Sequence, residues 1–285
     1  MDCAANNNTI CTHTGRYEWC VAVAMQLIQY LNQLWRLLAT GMGFVLFAVF
    51  GLMFKIILLP YILQPTENNI SRQIRARYFV ALIWKCFVHY LCFTGVVSVR
   101  YHGFDRLGQS GQLILVNHPS LLDVVFMLAK VPVLNCIVKK DLLQNPVMKS
   151  PILACGFLPN DESMQVVDNA DSILKTGQSL LIFPEGTRTG WDGKISFNRG
   201  AVSIGLRSAK VITPVVVVMD PPNFKKNQPW YQIPKKKVHY DFYVGDDIDP
   251  QQWLRHKPLP IAARELNRQL QKYFQQESVK KVSNE

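Results

Sequence analysis

The stretch Gln112-Leu113-Ile114-Leu115-Val116-Asn117-His118-Pro119-Ser120-Leu121-Leu122-Asp123 passes from a short apolar run through an abrupt polar turn into a second apolar run. A brief apolar run bounded by turn residues reads as a strand buried on both faces, and the spacing over 122–128 reads as a helix. Pro119 suits the first position of that helix, where a missing N–H costs nothing. Further along, Ser179-Leu180-Leu181-Ile182-Phe183 runs into Pro184-Glu185-Gly186-Thr187-Arg188, a second strand ending in a tight turn. The texture between and beyond is the same. Strands are expected at 133–138, 211–219 and 237–244, and helices at 166–176 with Gly177 as stop, at 200–208 and at 261–274. Such alternation predicts an α/β fold, a mixed β-sheet flanked by helices.

The front of the chain differs. Residues 37–54 carry no charge and are long enough to cross a bilayer. A second apolar stretch, 79–97, is interrupted by Lys85 and His89 and reads as an interfacial helix. Arg72, Arg75 and Arg77 lie between them, and by the positive-inside tendency everything after Lys55 is expected in the cytoplasm. The sheet is thus expected to be preceded by an N-terminal membrane-anchoring helical segment, 1–98 membrane-associated and 99–285 the α/β domain that carries the two turns.

The formal charge of +11 over 285 residues and a pI near 9.4 favour an anionic partner. Nucleic acid, an acidic membrane, a phosphorylated substrate or an acidic carrier all satisfy that condition. Seven scattered cysteines with no Cys-x-x-Cys pair support neither a disulfide framework nor a zinc site, and suit a reducing compartment. The loop 221–234 places Trp230 and Tyr231 among Lys225, Lys226 and the lysines at 235–237, a mixture suited to a membrane interface or a nucleotide.

Chemistry concentrates in the two turns. His118 at a strand-to-helix junction is a candidate general base, and Asp123 a candidate orienting carboxylate. On one regular helix a five-residue separation would set them about 140° apart, so they meet if His118 lies outside the helix and turns back. No nucleophilic serine accompanies them, so the nucleophile would come from the substrate, for example as a hydroxyl. Glu185, Gly186, Thr187 and Arg188 form a turn suited to an anion, with Glu185 aligning Arg188 or the turn, or capping the backbone. Arg199 and Gly200 open a helix and offer a second anion site. There is no phosphate P-loop, dinucleotide fingerprint or nucleophile elbow.

These segments resemble the glycerolipid acyltransferase superfamily typified by 1-acylglycerol-3-phosphate acyltransferases. His118 to Asp123 matches its His-four residues-Asp motif, Phe183 to Arg188 its Phe-Pro-Glu-Gly-Thr-Arg motif, and Arg199-Gly200 with Thr213-Pro214-Val215 its later blocks. The resemblance implies a membrane-held domain in which His118 removes a proton from an acceptor hydroxyl, Asp123 orients it, and Glu185 to Arg188 with Arg199 and Gly200 bind the acceptor or its phosphate. The acyl donor would be acyl-CoA or acyl-carrier protein, with membrane lipids as partners, no metal or other cofactor and no nucleic acid. Oligomeric state is left open. The implied acceptor is a lysophospholipid, 1-acylglycerol-3-phosphate first.

One block departs from the pattern. Where members carry Gly-aromatic-Ile-acidic-Arg, this chain reads Gly156-Phe157-Leu158-Pro159-Asn160-Asp161, without the arginine. The run Asn135-Cys136-Ile137-Val138-Lys139 and the Pro229-Trp230-Tyr231 loop resemble a bacterial subgroup with specialised lipid acceptors. That makes a non-glycerophosphate lipid the alternative acceptor and implies a bacterial inner membrane with the catalytic domain facing the cytoplasm. Two other classes compete. A basic nucleic-acid or membrane-binding module predicts steeply salt-dependent binding without need of His118. A lipid-binding scaffold without turnover is opposed by the intact His118, Asp123 and Arg188.

Overall fold

The computed structural model describes residues 8–62, 69–160 and 164–283. Helix α1 (Asn8–Met53) continues through a wider turn at Phe54–Leu58 into α2 (Leu59–Ile62), and α3 (Asn69–Phe93) follows. The remaining elements are β1 (Val97–His102), β2 (Gln112–Val116), α4 (Asp123–Lys130), β3 (Asn135–Lys139), α5 (Pro146–Cys155), β4 (Leu158–Asn160), α6 (Met164–Lys175), β5 (Leu180–Ile182), α7 (Arg199–Ser208), β6 (Val211–Asp220), β7 (Val238–Val244), α8 (Pro250–Leu254) and α9 (Leu259–Ser283).

One sheet runs in the order β1-β7-β6-β2-β5-β3-β4. Every pairing is parallel except β6 with β7. Parallel strands need crossover helices, which cover both faces and explain why the residues of β2 are all buried. Ile114, Val116, Leu181, Val215 and Val217 face a core shared with α3, α4 and α5. Their neighbours Leu113, Leu115, Leu180, Ile182 and Val216 face the other core, with α6, α7 and α9. The period of two is that of a pleated strand. Because β2 pairs in parallel with both β5 and β6, the carboxyl ends of these three strands open at one edge of the sheet. Ligands in open α/β sheets bind outside such ends, where the strand order reverses.

Helix α1 is about 69 Å long at 1.5 Å per residue, more than twice the hydrocarbon thickness of a bilayer. Large apolar side chains such as Trp19, Leu27, Leu31, Leu38 and Val45 are exposed along it. Residues Glu18–Ile57 and Asn69–Phe93 are both long and apolar enough to cross a membrane. Much of the apolar surface of α3 is accounted for by packing, however, since Val80, Trp84, Phe87 and Leu91 belong to the core. Arg77, 2% exposed, donates from Nε to Cys155 O at 2.8 Å and from Nη1 to Val133 O at 3.4 Å, tying α3 to the sheet layer. Trp84 stacks on Phe47 of α1 with centroids 5.7 Å apart, and Tyr90 Oη donates to Ala39 O at 2.8 Å. Cys20, Cys86, Cys92, Cys136 and Cys155 are free thiols.

Helix α7 lies close against the sheet at a glycine. A Cβ on Gly205 would stand 2.6 Å from Leu113 Cδ2 and 2.7 Å from Ile212 Cδ1, while one on Gly200 would meet nothing within 4 Å. Leu113 and Ile212 are fully buried, so neither tip has space to yield. Gly205→Ala is expected to destabilise the fold by about 1–3 kcal/mol through overpacking. Gly200→Ala is expected to leave stability unchanged or slightly raised, as measured by denaturant unfolding of the two variants.

Candidate active site

The site is built where β2 ends. Asn117 extends the ladder by one step with its side chain: Nδ2 donates to Val217 O at 2.9 Å and Oδ1 accepts from Val217 N at 2.6 Å. Residues 118–122 then form a turn, and α4 begins at Asp123. Pro119 therefore lies in the turn rather than opening the helix, and His118 stands outside α4, as its meeting with Asp123 requires. His118 Nδ1 is 2.9 Å from Asp123 Oδ2, which also accepts from Ser120 N at 2.8 Å. Ser120 Oγ is in turn 2.8 Å from Tyr240 Oη, both fully buried.

The Glu185 turn joins this one directly. Glu185 Oε1 accepts from His118 N at 2.8 Å and from Thr189 Oγ1 at 3.0 Å, while Thr189 N donates to His118 O at 2.7 Å. Of the roles open to Glu185, the backbone cap is the one observed. Phe183 stacks on the His118 ring, with centroids 4.3 Å apart and an interplanar angle of 30°. Gly186 adopts φ +66°, a left-handed conformation that glycine takes without strain, and a Cβ there would press on Asn198 Nδ2 at 3.0 Å. Gly186 and Thr187 are exposed at the tip of the turn.

Arg188 Nη1 donates to Phe224 O at 2.8 Å and Lys225 O at 3.2 Å, so the arginine grips the loop after β6. Leu121 N donates to Phe224 O at 3.3 Å, fixing the same loop to the His118 turn. Asn198 N donates to Pro184 O at 2.7 Å and brings the start of α7 beside the Glu185 turn. Arg199 and Gly200 are exposed there and hold no hydrogen bond or ion pair to the dyad among the described residues. Phe183 opens the second motif itself, and Thr189 follows it directly. Phe224 and Lys225 sit in the basic-aromatic loop, whose link to the base no local pattern signals.

Burial sets the electrostatics. Asp123 is fully buried, which pushes its carboxyl above the usual carboxylate range, while the His118 contacts, Ser120 N–H and Arg188 pull it back. Glu185 is raised by burial too, with the His118 N–H and Thr189 hydroxyl opposing. Burial lowers the Arg188 guanidinium, and Asp123 opposes that shift. A buried carboxylate on one imidazole nitrogen fixes the tautomer and leaves Nε2 as the basic atom. No cluster of His, Cys, Asp and Glu able to hold a metal ion occurs among the described residues.

An apolar cavity of about 80 Å³ lies behind α4, lined among others by Phe47, Phe54, Trp84, Val124, Leu128 and Phe157. Its walls come from α1, α3, α4 and the chain around α5. The altered block ends α5 at Gly156, whose φ is +65°, and continues into β4, the edge strand. Strands β5 and β3 separate β4 from β2. Asp161 lies outside the described residues.

Residues 98–218, from β1 into β6, match the acyltransferase family. Over 153 residues the chain is 31% identical to a 1-acyl-sn-glycerol-3-phosphate acyltransferase of Pseudomonas aeruginosa, an alignment covering 50% of this chain and 58% of that protein. It is 30% identical over 141 residues to the protein of that name from Helicobacter pylori, covering 45% and 56%. With the one from Saccharomyces cerevisiae the identity is 28% over 158 residues, covering 52% and 51%. The chain thus spans about half the length of the curated relatives it matches. In fold it is similar to the crystal structure of the 1-acyl-sn-glycerophosphate (LPA) acyltransferase PlsC from Thermotoga maritima, with a TM-score of 0.63 at 17% identity, covering 86% of this chain and 96% of that one. The matched segment contains His118, Asp123, the Glu185 turn, Arg188 and Arg199 within one continuous α/β frame. Over residues 98–218, then, the chain matches the acyltransferase family and is similar to 1-acyl-sn-glycerol-3-phosphate acyltransferases.

Proposed function

We propose that this chain is a membrane-held O-acyltransferase that moves a fatty acyl group from acyl-CoA or acyl-carrier protein to the free hydroxyl of 1-acylglycerol-3-phosphate. The observation that carries the reading is the His118–Asp123 pair at 2.9 Å, fused to the Glu185–Arg188 turn through Glu185 Oε1. His118 Nε2 takes the acceptor hydroxyl proton as the oxygen attacks the thioester carbonyl. Asp123 stabilises the imidazolium, and backbone N–H groups of the turn meet the oxyanion. Collapse of the tetrahedral intermediate breaks the C–S bond, and the departing thiolate takes the proton back from His118. Neither a metal nor another cofactor has a step in this scheme.

The cavity behind α4 supports the reading by offering apolar space at Val124, the residue after Asp123. The exposed apolar face of α1 supports placement at a membrane, which we assign to a bacterial inner membrane with the catalytic domain on the cytoplasmic side. A specialised acceptor without glycerol phosphate is the second reading, favoured by the absent arginine after Gly156. Comparing the lipids of cells with and without this chain separates the two, because the missing product names the acceptor.

His118→Ala is expected to lower transfer of labelled acyl groups by purified membranes about 10²–10⁴-fold with the fold retained. Retained turnover would refute the base assignment. Arg188→Ala is expected to raise the acceptor KM about tenfold or more while the donor KM stays within about twofold. Equal shifts in both constants would place Arg188 in the fold or the donor site instead.

Asp123 gives a pH signature. Its carboxyl is raised in the native state, so between the ordinary carboxylate value and its raised value the folded chain holds more protons than the unfolded one. Its contribution therefore makes stability fall as pH rises through that window. Asp123→Asn removes the buried charge and is expected to raise the thermal midpoint at neutral pH, flatten that slope and still cut turnover about 10²-fold or more. Unfolding curves across pH check the first two effects, and a labelled-acyl assay checks the third.

A further inference from the structure

A phosphate monoester carries about −1.5 to −2 charges at neutral pH, and Arg188 alone supplies one positive charge. The block after Gly156 supplies no other, since its residues are Phe157, Leu158, Pro159, Asn160 and Asp161. A second cation stands elsewhere. Lys225 is 7% exposed, and its Nζ donates to Gly190 O at 2.7 Å. It lies 5.9 Å from the centroid of the exposed Trp191 ring. An ammonium has three N–H donors, and the bond to Gly190 uses one. Glu185, Asp192 and Asp123 all act electrostatically on Lys225, yet it forms an ion pair with none of them among the described residues.

Arg188 and Lys225 are also one mechanical unit. The guanidinium Nη1 holds the backbone carbonyls of Phe224 and Lys225, so the arginine fixes the segment from which the lysine projects. That leaves the Nε and Nη2 donors of Arg188 for another acceptor. Lys225 as a mere counterion for the buried carboxylates would be expected to contact one of them. Instead it is held short of them by a neutral carbonyl, in a partly desolvated place where a doubly charged anion is bound more strongly than in water.

We propose that Lys225 and Arg188 together hold the phosphate monoester of the acceptor, with Lys225, from the loop after β6, taking the place of the arginine missing after Gly156. The proposal rests on the acceptor carrying such a phosphate and makes Lys225 a specificity-determining residue. The acceptor would be 1-acylglycerol-3-phosphate rather than a phosphate-free lipid.

The test is isothermal titration of the full chain in lipid nanodiscs, in a His118→Ala background so that nothing turns over. The titrants are 1-acylglycerol-3-phosphate and the same 1-acylglycerol without phosphate. Lys225→Gln keeps a donor for Gly190 O without the charge. It is expected to weaken binding of the phosphate ester about tenfold, the worth of a charge-assisted hydrogen bond, and to leave the phosphate-free lipid within about twofold. Lys225→Arg is expected to bind the ester within about threefold of the parent, because it restores the charge. Unchanged ester binding in Lys225→Gln, equal weakening for both lipids, or a parent without preference for the ester would each overturn the proposal. Failure of the acyltransferase reading is seen separately, as unchanged turnover in His118→Ala assayed with labelled donor.

Discussion

Everything at the site hangs on one buried carboxylate. Glu185 Oε1 receives the main-chain N–H of His118 and the hydroxyl of Thr189, and Thr189 N returns a bond to His118 O. Two turns from different strands are thereby closed into one piece, and the base is positioned from its own backbone rather than by its ring alone. Keeping a carboxylate at 9% exposure costs solvation, and its hydrogen bonds and the charge of Lys225 offset part of that cost. Without this joint the parallel pairing of β2 and β5 would still bring Phe183 near His118. It would not fix the imidazole relative to Arg188.

Much of this was readable along the chain. The strands β2, β5 and β6 announce themselves as short apolar runs because crossover helices bury both faces of a parallel sheet. The spacing of His118 and Asp123 carried a condition, that the histidine leave the helix, and the turn at 118–122 meets it. Helix α5 was hidden because Pro151 sits inside it and its apolar pattern is broken. Its signature is in the caps, Asn145 accepting from Val147 N and Gly156 in the left-handed region. Strand β4 is three residues long and owes its form to pairing with β3, which no local signal records. Lys225 was visible as a basic residue among aromatics, but its place against Gly190 and Arg188 depends on residues far away in sequence.

The N-terminal helix fastens the rest of that loop. The antiparallel return from β6 to β7 throws out the segment 221–237, and α1 fastens it. Gln33 Nε2 donates to Ile233 O at 3.0 Å, Arg36 Nη2 donates to the carbonyls of Pro234 and Lys235, and Phe44 packs on both Phe224 and Trp230. Helix α3 closes the other side through Arg77 and Trp84. The apolar helices thus do two jobs: one face of each builds the catalytic layer, and the exposed face of α1 is suited to lipid.

The grip of Phe44 on Phe224 has a consequence for how the molecule can be taken apart. Phe224 is the residue whose carbonyl Arg188 holds, so a path of direct contacts runs from the middle of α1 to the catalytic turn in two steps. Helix α1 is therefore not a detachable tether. A truncation that removes α1 would keep the His118–Asp123 pair and strip the support from the loop that Arg188 holds.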